Sequence, residues 1–235
     1  MAIDKITTAS ITDANITTAK LAYQAIPFRN IIINGDMSQS QRSTSVSSIT
    51  GTGYNSVDRI KTNLSSAGTW TQSQSTTVPS GQGFATSLKM DCTTADGSLS
   101  AANYLALQHI IEGQNLQYLK KGTSSAESTT LSFWVRSNKT GTYICTLYDN
   151  DNNRNISKSY TISSANTWEK KTLTFAGDTT GAFGNDNAAS LYLNFYLAAG
   201  SNFTSGTLAT SWESYTQANE AVGQVNLADS TSNEW

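Results

Sequence analysis

Five side chains in two strand-like stretches could bind a sugar. In Ser128 to Arg136, the two-residue period of a strand puts Leu131, Phe133 and Val135 on one face and Trp134 and Arg136 on the other. In Leu191 to Ala198 it puts Leu191, Leu193, Phe195 and Leu197 together, leaving Tyr192, Asn194 and Tyr196 opposite. With the aliphatic faces turned to a core, Trp134, Arg136, Tyr192, Asn194 and Tyr196 form a platform. A sugar ring stacks its apolar face on Trp or Tyr, and its hydroxyls bond amide and guanidinium groups. The competing reading is that this far face packs on another part of the chain or on another subunit, because aromatics favour strands anyway.

Other chemistry finds less support. His109 is the sole histidine, on what reads as the inner face of a strand, so it is expected to be a packing residue rather than a base. Glu112, Glu127, Glu169 and Glu213 show no spacing that pairs them, whereas glycoside hydrolysis needs two carboxylates within about 10 Å of each other. There is no Gly-X-Ser-X-Gly elbow and no phosphate-cradling glycine loop. Asp149-Asn150-Asp151-Asn152-Asn153 begins like a calcium loop but then has Arg154 where glycine is required and Tyr160 where a bidentate glutamate is required. It is expected to be a solvated turn between two strands. Cys92 and Cys145 match no metal-binding spacing and read as two reduced core thiols, with a disulfide as the alternative.

Composition narrows the partners. Only 14% of the 235 residues are charged, with 15 Lys+Arg against 17 Asp+Glu for a net charge of −2. Nucleic acid is not an expected partner, because phosphate binding needs clustered positive charge, and Lys120-Lys121 and Lys170-Lys171 are isolated pairs. No apolar run is long enough to insert in a membrane, and Met1 to Lys5 does not open a signal peptide. The Asn-X-Ser/Thr sequons at Asn15, Asn63, Asn138, Asn155 and Asn202 are what a chain rich in these residues produces by chance.

The elements that must position the platform are almost all strands. The pattern predicts strands at 29–36, 57–63, 69–75, 85–92, 104–111, 128–136, 141–149, 157–163, 167–175, 191–198 and 221–227, with polar stretches between them. One short helix is predicted over Gln114 to Lys121, stopped by Gly122. Many strands with turn-rich connections and almost no helix indicate an all-β, antiparallel two-sheet jelly-roll sandwich over residues 28–235.

The first 27 residues follow a different rule. Ile6, Ile11, Ile16 and Leu21 recur every five positions, with Ala9, Ala14 and Ala19 at a fixed offset between them. Neither a helix nor a strand has a period of five. A unit with one large apolar residue and one alanine cannot build a core alone, but it can bury its apolar residue against identical copies, with alanine at a crowded axis. Residues 1–27 therefore read as an oligomerising stem, ending near Pro27.

These pentads resemble segments near the attachment ends of appendage proteins of tailed phages, especially marine and cyanobacterial phages. Arg29-Asn30-Ile31-Ile32-Ile33-Asn34-Gly35-Asp36-Met37 is similar to the Asn-Gly-Asp-Phe opening of their carbohydrate-binding-module-like jelly rolls. Ile111 to Leu116, Leu131 to Ser137 and Asn166 to Lys170 are similar in the same order. The resemblance implies a virion tail-fibre or appendage subunit, non-enzymatic and trimeric. It docks to other virion proteins through its N-terminus and presents the jelly roll to host-surface polysaccharide. The first alternative is a purely structural head fibre, decoration or collar component, and the second a polysaccharide hydrolase, although phage depolymerases tend to be long β-helical proteins. The resemblance also implies a structural calcium ion, with Asp36 as a ligand, and no other cofactor. It further implies a last strand carrying Gln-Leu-Glu beyond Asn233-Glu234-Trp235, either missing from this sequence or supplied by a neighbouring subunit.

Overall fold

The computed structural model describes residues 30–235, so the pentad stem lies outside the described residues. The strands are β1 (Ser45–Tyr54), β2 (Ile60–Ser75), β3 (Ser87–Thr94), β4 (Tyr104–Glu112), β5 (Thr129–Val135), β6 (Gly141–Asp149), β7 (Arg154–Ile162), β8 (Glu169–Phe175), β9 (Ala189–Ala199) and β10 (Glu213–Ser214). The main sheet runs β1-β2-β4-β9-β6-β7-β10, with β3 also paired to β2, while β5 and β8 pair separately. Every pairing is antiparallel. The two sheets stack as a sandwich.

Aromatic contacts fix which faces meet. Phe133 of β5 lies edge-on to Phe195 of β9 at 5.0 Å and to Tyr160 of β7 at 5.1 Å. Leu131, Phe133 and Val135 therefore point inward from one layer, and Leu191, Leu193 and Phe195 from the other. Tyr143, Cys145, Leu105 and Leu107 fill the interior between them. Both cysteines are buried and free.

β2 changes partners along its length. Its first half pairs with β4 and its second half with β3. The change of partner falls at Ser66 (φ 47°) and Gly68 (φ 79°), where a Cβ on Gly68 would overlap the Thr94 carbonyl. Just beyond this point, Trp70 is fully buried and its indole N–H donates to the Ala67 carbonyl at 2.7 Å.

The last residues pair with β3. Met90 of β3 and Trp235 exchange backbone bonds in both directions, at 2.8 and 3.0 Å, and Cys92 N–H donates to the Asn233 carbonyl. Glu234 pairs with Lys89 at 2.7 Å on one side and with Arg136 at 2.6 Å on the other, so it links β3 to the end of β5. Trp235 itself lies 6.0 Å from the ring of Phe195.

The structure corrects several predicted elements. No strand forms over 30–36; Ile33 to Asp36 is a turn, with Asn34 at φ 59° and its side chain bonded to Gln39 and Asp58. Turn chemistry at Asn34-Gly35 outweighs the isoleucines, and Ile33 is left exposed. The predicted helix at 114–121 is instead two 3-10 turns, Gly113–Asn115 and Gln117–Leu119, which put Leu116 and Leu119 three apart on one buried side. Residues 221–227 form no strand; Ala221 packs against Phe203 and Tyr196 instead. In the other direction, β1 arises from a Ser/Thr/Gly-rich stretch that no pattern marked, and its pairing with β2 is interrupted by register shifts.

Gly113 is needed where the first 3-10 turn passes the loop before β9. A Cβ there would collide with the Gly184 carbonyl and Ser190 Oγ. Because one obstacle is backbone, Gly113→Ala is expected to destabilise the fold by about 1–3 kcal/mol, measurable as a lowered midpoint in thermal unfolding.

Candidate functional site

The outward face of the main sheet carries three cross-strand rows. Ile110, Tyr192, Tyr148 and Asn155 lie in the first, and Gln108, Asn194, Thr146 and Ser157 in the second. Ala106, Tyr196, Ile144 and Ser159 follow the same parity, with a register shift after Leu105 that places one extra residue on β9.

A segment from Gly200 to Val225 covers part of this face. Phe203, in a helical turn at Ser201–Thr204, packs with Ala221 on Ala106, Ile144 and Tyr196. The Glu220 carbonyl accepts from Thr146 Oγ1 at 3.2 Å and Ser157 Oγ at 2.8 Å, fixing the cover to two strands. Its carboxylate accepts from the Tyr215 hydroxyl at 3.0 Å.

At the margin of this cover is a tyrosine patch to which the covering segment itself contributes Tyr215. Tyr148 lies 5.7 Å from Tyr192 and 5.0 Å from Tyr215, all three half-buried. The Tyr148 hydroxyl donates to Asn153 Oδ1 at 3.0 Å, holding the ring in place. In the adjoining row Gln108 Nε2 donates to Asn194 Oδ1 at 2.9 Å, and both amides are buried. The rings offer a stacking surface and the exposed Asn153 an amide group, while Gln108 and Asn194 are buried against each other.

The five sequence-selected platform residues do not form one surface. Phe133 and Phe195 face each other across the interior, so Trp134 and Arg136 point outward from the second sheet while Tyr192, Asn194 and Tyr196 point outward from the first. Trp134 is half-buried across from Lys170. Arg136 bonds Glu234 and the Asn166 carbonyl and side chain. Tyr196 and Asn194 are at most 5% exposed, which leaves Tyr192 as the accessible member of its group. Tyr148, Tyr215, Gln108 and Glu220 were not selected from sequence. The Tyr148 alternation was visible, but its partner strand was not, and Tyr215 and Glu220 lie in a polar loop without period.

The remaining candidates have structural partners. His109 is buried, with Nδ1 3.3 Å from the Arg59 carbonyl and Nε2 3.4 Å from the Ile33 N–H. Each of the four glutamates has its own partner: Glu112 with Arg59, Glu127 with Lys120, Glu169 with Lys171 and Glu213 with Asn219. The turn after β6 is anchored inward rather than solvated at its first residue, since Asp149 is fully buried and caps the backbone N–H groups of Asp151 and Asn152. Asp36 bonds Ser38 in an exposed turn. Among the described residues, no three His, Cys, Asp or Glu side chains converge on a metal-sized point.

No protein-family model and no curated protein matches this chain. Among solved structures, the enzymatically active domain of tailspike protein 4 from bacteriophage CBA120 is similar over 71% of this chain, at 18% identity and a TM-score of 0.38. The alignment spans 19% of that chain. No described helix is long and apolar enough to cross a membrane.

Glu220 gives the site a pH dependence. Burial pushes its carboxyl above the ordinary carboxylate range, against the opposing hydrogen bonds from Tyr196 and Tyr215. The neutral form is therefore favoured in the folded state. The stability it contributes is complete below the unfolded carboxylate value of about 4.3 and is lost as pH rises through the higher folded value. Glu220→Gln, which cannot ionise, is expected to gain thermal stability relative to wild type as pH goes from 4 to 8. Parallel melting curves across that range measure it.

Proposed function

We propose that this chain is a subunit of a phage virion appendage, docked to the particle by its N-terminal repeats and adsorbing to host-surface glycan through the outer face of its main sheet. The observation that carries the glycan reading is the half-buried Tyr148–Tyr192–Tyr215 patch. Half-buried rings held by ring contacts lose little freedom when a sugar stacks on them. The pentads support the appendage reading, since a repeat that cannot bury its own apolar residues requires copies of itself. The protein acts in this reading as a non-enzymatic homotrimer exposed on the virion.

The test is Tyr192→Ala, a change at a half-buried position on the sheet's outer face. Adsorption of the labelled protein to host cells is expected to weaken tenfold or more, about 1.4 kcal/mol or greater, with the melting temperature nearly unchanged. Trp134→Ala, on the opposite outer face, is the comparison and is expected to leave adsorption intact. Equal adsorption by wild type and Tyr192→Ala would instead favour the purely structural alternative, in which the sandwich contacts only other virion subunits.

A further inference from the structure

His109 stands on the inner face of β4, across from Ile60 on β2 and Leu193 on β9, and is 2% exposed. Its Nδ1 lies 3.3 Å from the Arg59 carbonyl. A carbonyl can only accept, so Nδ1 carries the ring proton. Nε2 is then the acceptor, and the Ile33 N–H donates to it at 3.4 Å. That second contact exists only in the neutral imidazole, because both nitrogens of the charged ring are donors.

Ile33 opens the turn by which the chain enters the sandwich from its N-terminal repeats. Beyond Ile33 the turn is tied by groups that do not titrate. Asn34 Nδ2 donates to the Asp58 carbonyl at 2.8 Å, Thr86 Oγ1 to the Asp36 carbonyl at 3.0 Å and Gln74 Nε2 to the Met37 carbonyl at 2.7 Å. The Ile33 side chain is 48% exposed, so burial does little to hold this residue. The charged groups on the neighbouring elements have their own partners: Arg59 with Glu112, Asp58 with Arg42, and Asp36 with the Ser38 hydroxyl. Lys61, the next residue of β2, lies on the opposite face across from Gln108.

We propose that His109 is a pH-sensitive fastening for this entry segment. The neutral ring holds the Ile33 backbone. A proton taken from solvent at Nε2 turns the acceptor into a donor, sets N–H against N–H and releases it. An imidazole in water takes up that proton at about pH 6.5. The segment joining the repeats to the sandwich is thereby held at neutral pH and loosened in mild acid, with the sandwich itself intact. The inference does not depend on glycan binding, because the ring lies on the inner face of the sheet.

His109 is the sole histidine in the chain, so its titration can be followed by NMR without assignment of a second ring. The experiment measures amide hydrogen exchange at Ile33 and at Cys145 in central β6 from pH 8 to pH 5, corrected for the intrinsic pH dependence of exchange. Protection at Ile33 is expected to fall by about tenfold as the ring titrates, while protection at Cys145 stays constant. His109→Gln keeps a donor and an acceptor but takes up no proton in this range, and is expected to show no pH dependence at Ile33. If that variant does not fold, the wild-type contrast between Ile33 and Cys145 decides. Constant protection at Ile33 through the titration, a ring that stays neutral down to pH 5, a parallel loss at Cys145, or the same pH dependence in a folded His109→Gln would overturn the proposal.

Discussion

Deleting residues 1–27 is expected to reduce adsorption to host cells by about 10²–10⁴-fold while leaving the sandwich folded. Stacking and hydroxyl bonding at one small patch give weak affinity, and joining several patches makes each later binding event intramolecular. The proposed source of that joining is residues 1–27, where Ile6, Ile11, Ile16 and Leu21 recur every five positions, a spacing that one copy cannot turn into a core. Light scattering should show the loss of the oligomer, circular dichroism should show an unchanged β spectrum, and cell adsorption should fall by the stated factor. Retention of full adsorption by a monomer would remove avidity from the account.

The second large effect is on the fold. Trp70→Ala is expected to cost about 3–5 kcal/mol, the range for deleting a large buried aromatic. Trp70 stands just past the point where β2 changes partner, paired with Ile49 on β1 and Cys92 on β3. Truncation opens a cavity where three strands meet and leaves the Ala67 carbonyl without the indole N–H. Denaturant titration measures the loss. A change below about 1 kcal/mol would mean that this point is held mainly by Gly68 and the backbone pairing.

The strands from β5 to β9 were legible because their residues alternate. Leu131, Phe133 and Val135 had to share a face, as did Leu191, Leu193 and Phe195, and both sets point into the core. Alternation assigns a side chain to a face but does not say which sheet its strand joins. That missing fact separated Trp134 and Arg136 from Tyr192. It also hid Tyr148, whose place beside Tyr192 depends on the pairing of β6 with β9.

Loops and edges were harder to read for a different reason. Glu220 reaches the sheet through its carbonyl, which accepts from Thr146 and Ser157, residues far from it in sequence, so the contact leaves no period. β1 is an edge strand of Ser, Thr and Gly, where backbone pairing with β2 supplies the order that side-chain pattern does not. At Ile31-Ile32-Ile33 the apolar run suggested a strand, yet the Asn34-Gly35 turn beside it set the local conformation.

The most direct measurement is adsorption of fluorescently labelled oligomer to host cells, with polysaccharide purified from the same cells as competitor. Saturable binding that the polysaccharide abolishes is the expected result. A well-folded oligomer that does not adsorb, or that adsorbs equally in excess polysaccharide, would contradict it.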